Sequence, residues 1–240
     1  MNSTGSDNTA VGQFALPVNT SGVANTAIGE NAGLNNITGA GNTFLGANTS
    51  ISGGGFTDAT AVGGSAVVQN SYEIQLGDAS ASNGVYTVGN YFSTSDGRFK
   101  TNITENVIGL AFIKKLRPVT YNLDTKSLGN YTRQNLPDSI KKKFLNEQNY
   151  KSVPDIVHSG FIAQEVEKAA QDVGFTSSIV HTPVSNSDPY ALSYSEIVVP
   201  LVKAMQELSG KLDSLTSVSA NQNAMIKYLQ NQINTIQQKK

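Results

Sequence analysis

A five-residue phrase returns at a fixed interval in the opening quarter of the chain. Asn8-Thr9-Ala10-Val11-Gly12 recurs as Asn25-Thr26-Ala27-Ile28-Gly29 and as Asn42-Thr43-Phe44-Leu45-Gly46, and a degenerate copy follows at Ala59-Thr60-Ala61-Val62-Gly63. Each step is 17 residues, and Gly5, Gly22 and Gly39 keep the same interval, as do Ala15, Ala32 and Thr49. A short fixed period means one structural unit stacked repeatedly, each burying its apolar edge on its neighbour. The Thr-Ala-Val/Ile and Thr-Phe-Leu runs read as strands. Gly and Asn are expected to supply the positive-φ turn positions. A unit this small has too little apolar surface for a core of its own. Three chains wound round one axis would solve that, each giving a narrow apolar stripe. A single-chain β-solenoid is the alternative, and the aliphatic residue before each repeat Gly argues against a flexible stalk.

Beyond Gly64 the strict period is lost, although Ser71–Gly77 and Val85–Gly89 still read as short alternating strands ending in Gly. Gly53-Gly54-Gly55 has no following Lys-Ser/Thr, so it reads as a turn and not as a phosphate loop. With 240 residues the chain has room for one or two domains. Its net charge of −1 gives no electrostatic footprint for nucleic acid or an anionic membrane. The absence of Cys removes disulfides, thiol catalysis and Cys-based zinc sites. No signal peptide opens the chain and no run of 18 apolar residues occurs, so a soluble protein without membrane insertion is expected.

The middle of the chain changes character. Glu105–Leu116 carries Val107, Ile108, Leu110, Ala111, Ile113 and Leu116 at helical spacing, with Pro118 ending the helix. Val119–Leu123 and Ser159–Ala163 read as strands, Gln164–Asp172 as a helix, and Ser178–Thr182 and Tyr190–Tyr194 as further strands. Between them, 124–157 is polar and Lys-rich and reads as a solvated surface insertion. His158 and His181 lack metal-site spacing, so no metal or cofactor is expected.

From Ser195 the pattern is heptad. Leu201, Leu208, Leu215, Gln222, Leu229 and Ile236 are seven apart, and Met205, Leu212, Ser219, Ile226 and Ile233 form a second series three residues before members of the first. Those series occupy d and a of a coiled coil. One helix cannot bury such a seam, so a partner is implied. The heptads leave the strand number open; a symmetry shared with a three-fold repeat segment makes it three.

At the boundary between the two compositions stands Thr94-Ser95-Asp96-Gly97-Arg98-Phe99-Lys100-Thr101-Asn102-Ile103. A Ser hydroxyl attacks only if a base takes its proton, and a desolvated Lys can be that base. Spacing alone makes this a weak signal, since Ser and Lys five apart are common.

The same residues carry a resemblance. Ser95–Ile103 resembles the opening motif, Ser-Asp-x-Arg-x-Lys-x-Asn-Ile, of the intramolecular chaperone auto-processing domain of phage tailspikes such as endosialidases. His158–Val166 is similar to its second signature, and Tyr194-Ser195-Glu196-Ile197 running into Leu201–Leu208 to its closing tyrosine-led helix. The first 94 residues resemble the Asn-Thr-Ala-x-Gly fibre repeats often found upstream. The resemblance implies an α+β chain. A trimeric β-repeat stalk would span 1–94, with repeats at 8–63 and irregular strands at 64–94. An α+β chaperone domain would span 95–195 with the insertion 124–157, and a trimeric coiled-coil helix 196–240. It also implies a homotrimer on a virion tail fibre that registers three fibre strands. Ser95 would then attack the carbonyl of Thr94, with Lys100 as base, cutting the Thr94–Ser95 bond once and freeing the chaperone in the host cytoplasm. Asp96, Asn102, Gln164 and Glu165 occupy matched positions with support roles. The competing readings are an uncut structural trimeric tip and an adhesin, on a fibre or a bacterial surface, whose repeats contact a host-cell receptor. A hydrolase acting on outside substrates is the weakest, because no second constellation is present.

Overall fold

A computed structural model describes residues 4–79, 92–146 and 156–237. The fold is mixed α+β, with a β-solenoid of about four turns, several short helices and one long C-terminal helix. The chain divides into two compact units. One holds 1–94, 120–160 and 182–190, and the other 95–119, 161–181 and 191–240.

The repeat winds as a solenoid within one chain. Strands β1 (Thr9–Val11), β2 (Thr26–Ile28), β3 (Thr43–Leu45), β5 (Thr60–Val62) and β7 (Ile74–Leu76) form one parallel sheet in the order β1-β2-β3-β5-β7. Thr9 faces Thr26, Thr26 faces Thr43 and Thr43 faces Thr60, so the 17-residue period is the inter-coil register. The last step, Thr60 to Ile74, is shorter by three residues. Strands β4 (Ser50–Ile51) and β6 (Val67–Val68) pair in parallel as a second small sheet that the sequence pattern did not reveal. The strand expected at Val85–Gly89 lies outside the described residues.

Two expectations for this region are corrected. Winding of three chains is not needed to bury the repeat's apolar stripe, because Ala27, Phe44, Ile51, Ala59, Ala61, Ala66 and Val68 are fully buried inside one chain. The second is corrected only in part: Gly12, Gly29, Gly46 and Gly63 do take positive φ, as do Asn31 and Asn48, but the repeat-phrase residues Asn25 and Asn42 do not. Asn25 and Asn42 are fully buried, and each stitches one coil to the next. The Asn25 backbone N–H donates to Asn8 Oδ1 (2.9 Å), that of Asn42 to Asn25 Oδ1 (3.0 Å) and that of Ala59 to Asn42 Oδ1 (2.8 Å). Their amides donate onward to the carbonyls of Gly39 and Phe56. Buried amides are tolerable only when both ends are satisfied, and here they are. Two further sets of left-handed positions also recur 17 apart, Asp7, Ala24, Gly41 and Asp58, and Phe14, Asn31, Asn48 and Ser65. The repeat glycine has a double reason. Gly29 has φ +134, and a Cβ there would sit 2.7 Å from the carbonyl carbon of Gly46 in the next coil.

The segment 124–146 is not a solvated loop, which corrects the surface-insertion reading. Asp124 caps helix α2 (Thr125–Thr132) by accepting from Ser127 N–H at 2.8 Å, and α3 spans Asp138–Asn146. Leu136 and Ile140 are buried in one cluster with Leu34 and Val67 of the solenoid. Strand β8 (Val119–Asn122) pairs with β9 (Val157–Gly160), and His158 stacks on Tyr121 with ring centroids 5.6 Å apart.

The other unit packs around Phe112. The helix expected over Glu105–Leu116 shrinks to α1 (Leu110–Ile113), because Gly109 stands as its N-cap and the residues before it are not helical. Gly109 is where α1 approaches the long helix α5 (Val198–Gln237), since a Cβ there would lie 2.6 Å from the Ala204 backbone nitrogen. Glu207 then reaches back, its Oε2 accepting from Leu110 N–H at 2.9 Å. Helix α4 (Ala163–Asp172) turns Val166 and Ala169 onto Phe112, Ile179 and Ile197. Strands β10 (Val180–His181) and β11 (Ala191–Leu192) close the unit as an antiparallel pair. Pro200 lies in the first turn of α5, where its missing N–H costs nothing.

Helix α5 is roughly 60 Å long at 1.5 Å per residue. Leu208, Leu212, Leu215, Ile226, Leu229 and Ile233 each leave more than half of their surface exposed.

Candidate active site

The stretch after Thr94 folds as a tight turn, and its sequence says why. The carboxylate of Asp96 accepts from Arg98 N–H at 2.9 Å, capping a single 3-10 turn over Gly97–Phe99. The Arg98 guanidinium folds back onto the same carboxylate, Nη2 to Oδ2 at 2.6 Å. That hydrogen bond holds Asp96 below the ordinary carboxylate range. Lys100 N–H then donates to the Gly97 carbonyl at 3.2 Å, so the chain reverses. The reversal carries Lys100 Nζ to 2.7 Å from Ser95 Oγ, donating to it. Asn102 follows with φ +54, a left-handed residue that ends the turn.

Both side chains of the pair are exposed, as are the neighbouring apolar residues Phe99 and Ile103. A hydroxyl within 3 Å of an amine has the geometry for proton transfer. Losing water around an amine favours its neutral, proton-accepting form.

The remaining motif residues divide. Asp96 and Asn102 shape the turn that holds Ser95 and Lys100. Glu165 is engaged elsewhere, bound in two-pronged fashion by Arg117 (Nε–Oε2 3.0 Å, Nη2–Oε1 2.6 Å), which holds its carboxyl below the usual range. Gln164 sits exposed at the start of α4. Arg117 was missed by sequence reasoning, because nothing in its spacing links it to Glu165, 48 residues on. The second and third signatures do meet. Phe161 N–H donates to Tyr194 Oη at 3.0 Å, and their rings stack at 6.1 Å. The tyrosine therefore ties Phe161, just ahead of α4, to the turn that leads into α5. Among the described residues, no group of three His, Asp or Glu side chains could hold a metal ion, and no helix is long and apolar enough to cross a membrane.

Residues 95–175 match the family model Peptidase_S74, described as chaperone of endosialidase. By this match the segment is similar to the endosialidase-chaperone domain. The match opens on Ser95 and covers about a third of the chain, spanning the Ser95–Lys100 turn, the 124–146 helices and the whole of α4. The solenoid precedes it and the whole of α5 follows it. Neither the curated proteins nor the solved structures contain a significant match to the chain. As a relative of phage-tail chaperones, the domain fits a tail fibre.

Proposed function

We propose that this chain is a fibre segment joined to its own trimerising chaperone, which cuts itself from the fibre once at Thr94–Ser95. The observation that carries the reading is the 2.7 Å contact between Lys100 Nζ and Ser95 Oγ, formed in the segment on which the family match begins. The exposed heptad seam of α5 supports self-association, because burying a leucine side chain gains about 1.5–3 kcal/mol. Packing three helices along that seam yields a parallel homotrimer. The subunits then exclude water from the surface around Phe99 and Ile103, where Lys100 meets Ser95.

The chemistry follows from the turn. Lys100 takes the Oγ proton as Oγ attacks the Thr94 carbonyl carbon. The C–N bond breaks, the proton passes to the departing Ser95 nitrogen, and an ester joins Thr94 to Ser95 Oγ. Water hydrolyses the ester, leaving a Thr94 carboxylate and a free Ser95 amine. Each subunit does this once, so activity waits on assembly and does not turn over.

The test is the intact mass of the purified, denatured chain beside its Ser95→Ala and Lys100→Ala variants. Fragments of 1–94 and 95–240, replaced by one full-length mass in both variants, support the dyad. Cleavage persisting in either variant removes that residue from the mechanism. A single full-length mass in the parent chain leaves an uncut trimeric tip.

A further inference from the structure

The first compact unit is assembled from both sides of the Thr94–Ser95 bond: the solenoid before it, and 120–160 with 182–190 after it. The join is made of buried contacts. Leu136 and Ile140 pack with Leu34 and Val67. Gln69 Nε2 donates to the Thr132 carbonyl at 3.1 Å, with Gln69 and Thr132 both buried. The buried Arg133 guanidinium pairs with Asp78, just beyond the last solenoid strand. On the outer side, Asn135 Nδ2 donates to Ser187 Oγ at 3.0 Å, tying 182–190 to the same segment.

We infer that residues 125–140 of the chaperone form a dock that recognises the wound solenoid and keeps fibre and chaperone together after the peptide bond is cut. The partner is this chain's own coils, and its chemistry is specific. An apolar pair meets Leu34 and Val67, a backbone carbonyl meets a buried glutamine amide, and a buried guanidinium meets a carboxylate. The dock reads a conformation and not a sequence. Leu34 and Val67 stand 33 residues apart and share one cluster only once the intervening coils are stacked, and Gln69 and Asp78 add the last coils to the same surface. An unwound repeat presents none of this together. Chain scission is therefore not the release step; undocking is.

The inference rests on the chaperone reading of the segment and not on its self-cleavage, so its test bypasses the dyad. A protease recognition sequence is placed between Thr94 and Ser95 of the full-length Ser95→Ala chain, which is then cut by the added protease and passed over a sizing column without denaturant. The dock predicts that 1–94 and 95–240 elute together. Leu136→Asp and Ile140→Asp, each made separately, lose co-elution, while Lys142→Asp on the exposed side of the same helix retains it. Fragments of the parent chain that part as soon as they are cut would overturn the inference, as would co-elution unchanged in both aspartate variants. Circular dichroism of the uncut variants separates a lost dock from a lost fold.

Discussion

The solenoid and the long helix solve opposite problems with their apolar residues. In the solenoid each coil finds its partner 17 residues away in the same chain, so Ala27, Phe44 and Ala61 vanish into the interior and the repeat's asparagines are satisfied by the next coil. In α5 no described residue covers the leucines of the seam, which stays exposed from Leu201 to Ile233. The same kind of sequence regularity, a fixed period of apolar positions, thus yields a closed core in one region and an exposed apolar stripe in the other. What decides is geometry. A coiled strand returns the chain onto itself every 17 residues, whereas a straight helix never returns.

The contrast can be broken most sharply at Gly29. Valine there meets a left-handed φ and a backbone carbon at 2.7 Å, so roughly 3–5 kcal/mol of destabilisation is expected. The β-signal should lose its cooperative melt while the α5 helical signal persists; a melt like the parent's would mean that the coils are not stacked as described. Next comes the helix. Leu212→Asp with Leu215→Asp should dissociate the assembly in sedimentation, at about 2–3 kcal/mol per buried leucine, and leave the solenoid melt unchanged. Loss of both together would show the two regions to be less independent than their cores suggest. Asn42→Ala is smaller. It strands the Ala59 N–H and the Phe56 carbonyl, for about 1–3 kcal/mol of stability in denaturant titration.

The smallest effect sharpens the comparison through pH. Burial raises the pKa of Glu73, beside β7, against the opposing hydrogen bond from Asn70. Its folded form therefore binds a proton more tightly than the unfolded chain does. The stabilisation is full below the unfolded carboxylate value and is lost as pH rises through the raised one. Glu73→Gln should raise the solenoid melting temperature slightly at neutral pH, with the gain gone near about pH 4. A gain independent of pH would place the cause outside this ionisation.

Legibility in the sequence followed the same division. The 17-residue period gave the coil register because register is a property of the repeat itself. The role of Asn25 and Asn42 was hidden, because a ladder exists only once copies stack, and an isolated Asn reads as a turn former. The 125–140 dock was illegible for a related reason. Its two anchors, Leu136 and Ile140, sit among lysines and polar residues, and their partners lie about 70–100 residues upstream. The helix over Glu105–Leu116 failed at Gly109, whose lack of a side chain serves close packing on Ala204 and not helix propagation. At the site, Ser95 and Lys100 were legible from their turn-length spacing and motif. The Arg117–Glu165 pair was not, since only the tertiary fold joins them.

The asparagine ladder runs from Asn8 through Asn42 and ends where the fourth copy has Ala59. Because each rung touches only the rungs beside it, an in-frame duplication or loss of one repeat would add or remove a whole coil, about 4.8 Å of solenoid. Such a change leaves every remaining rung intact and the 125–140 segment still facing the final coils. Solenoid length is thus a heritable quantity that can change in discrete steps without redesigning the end.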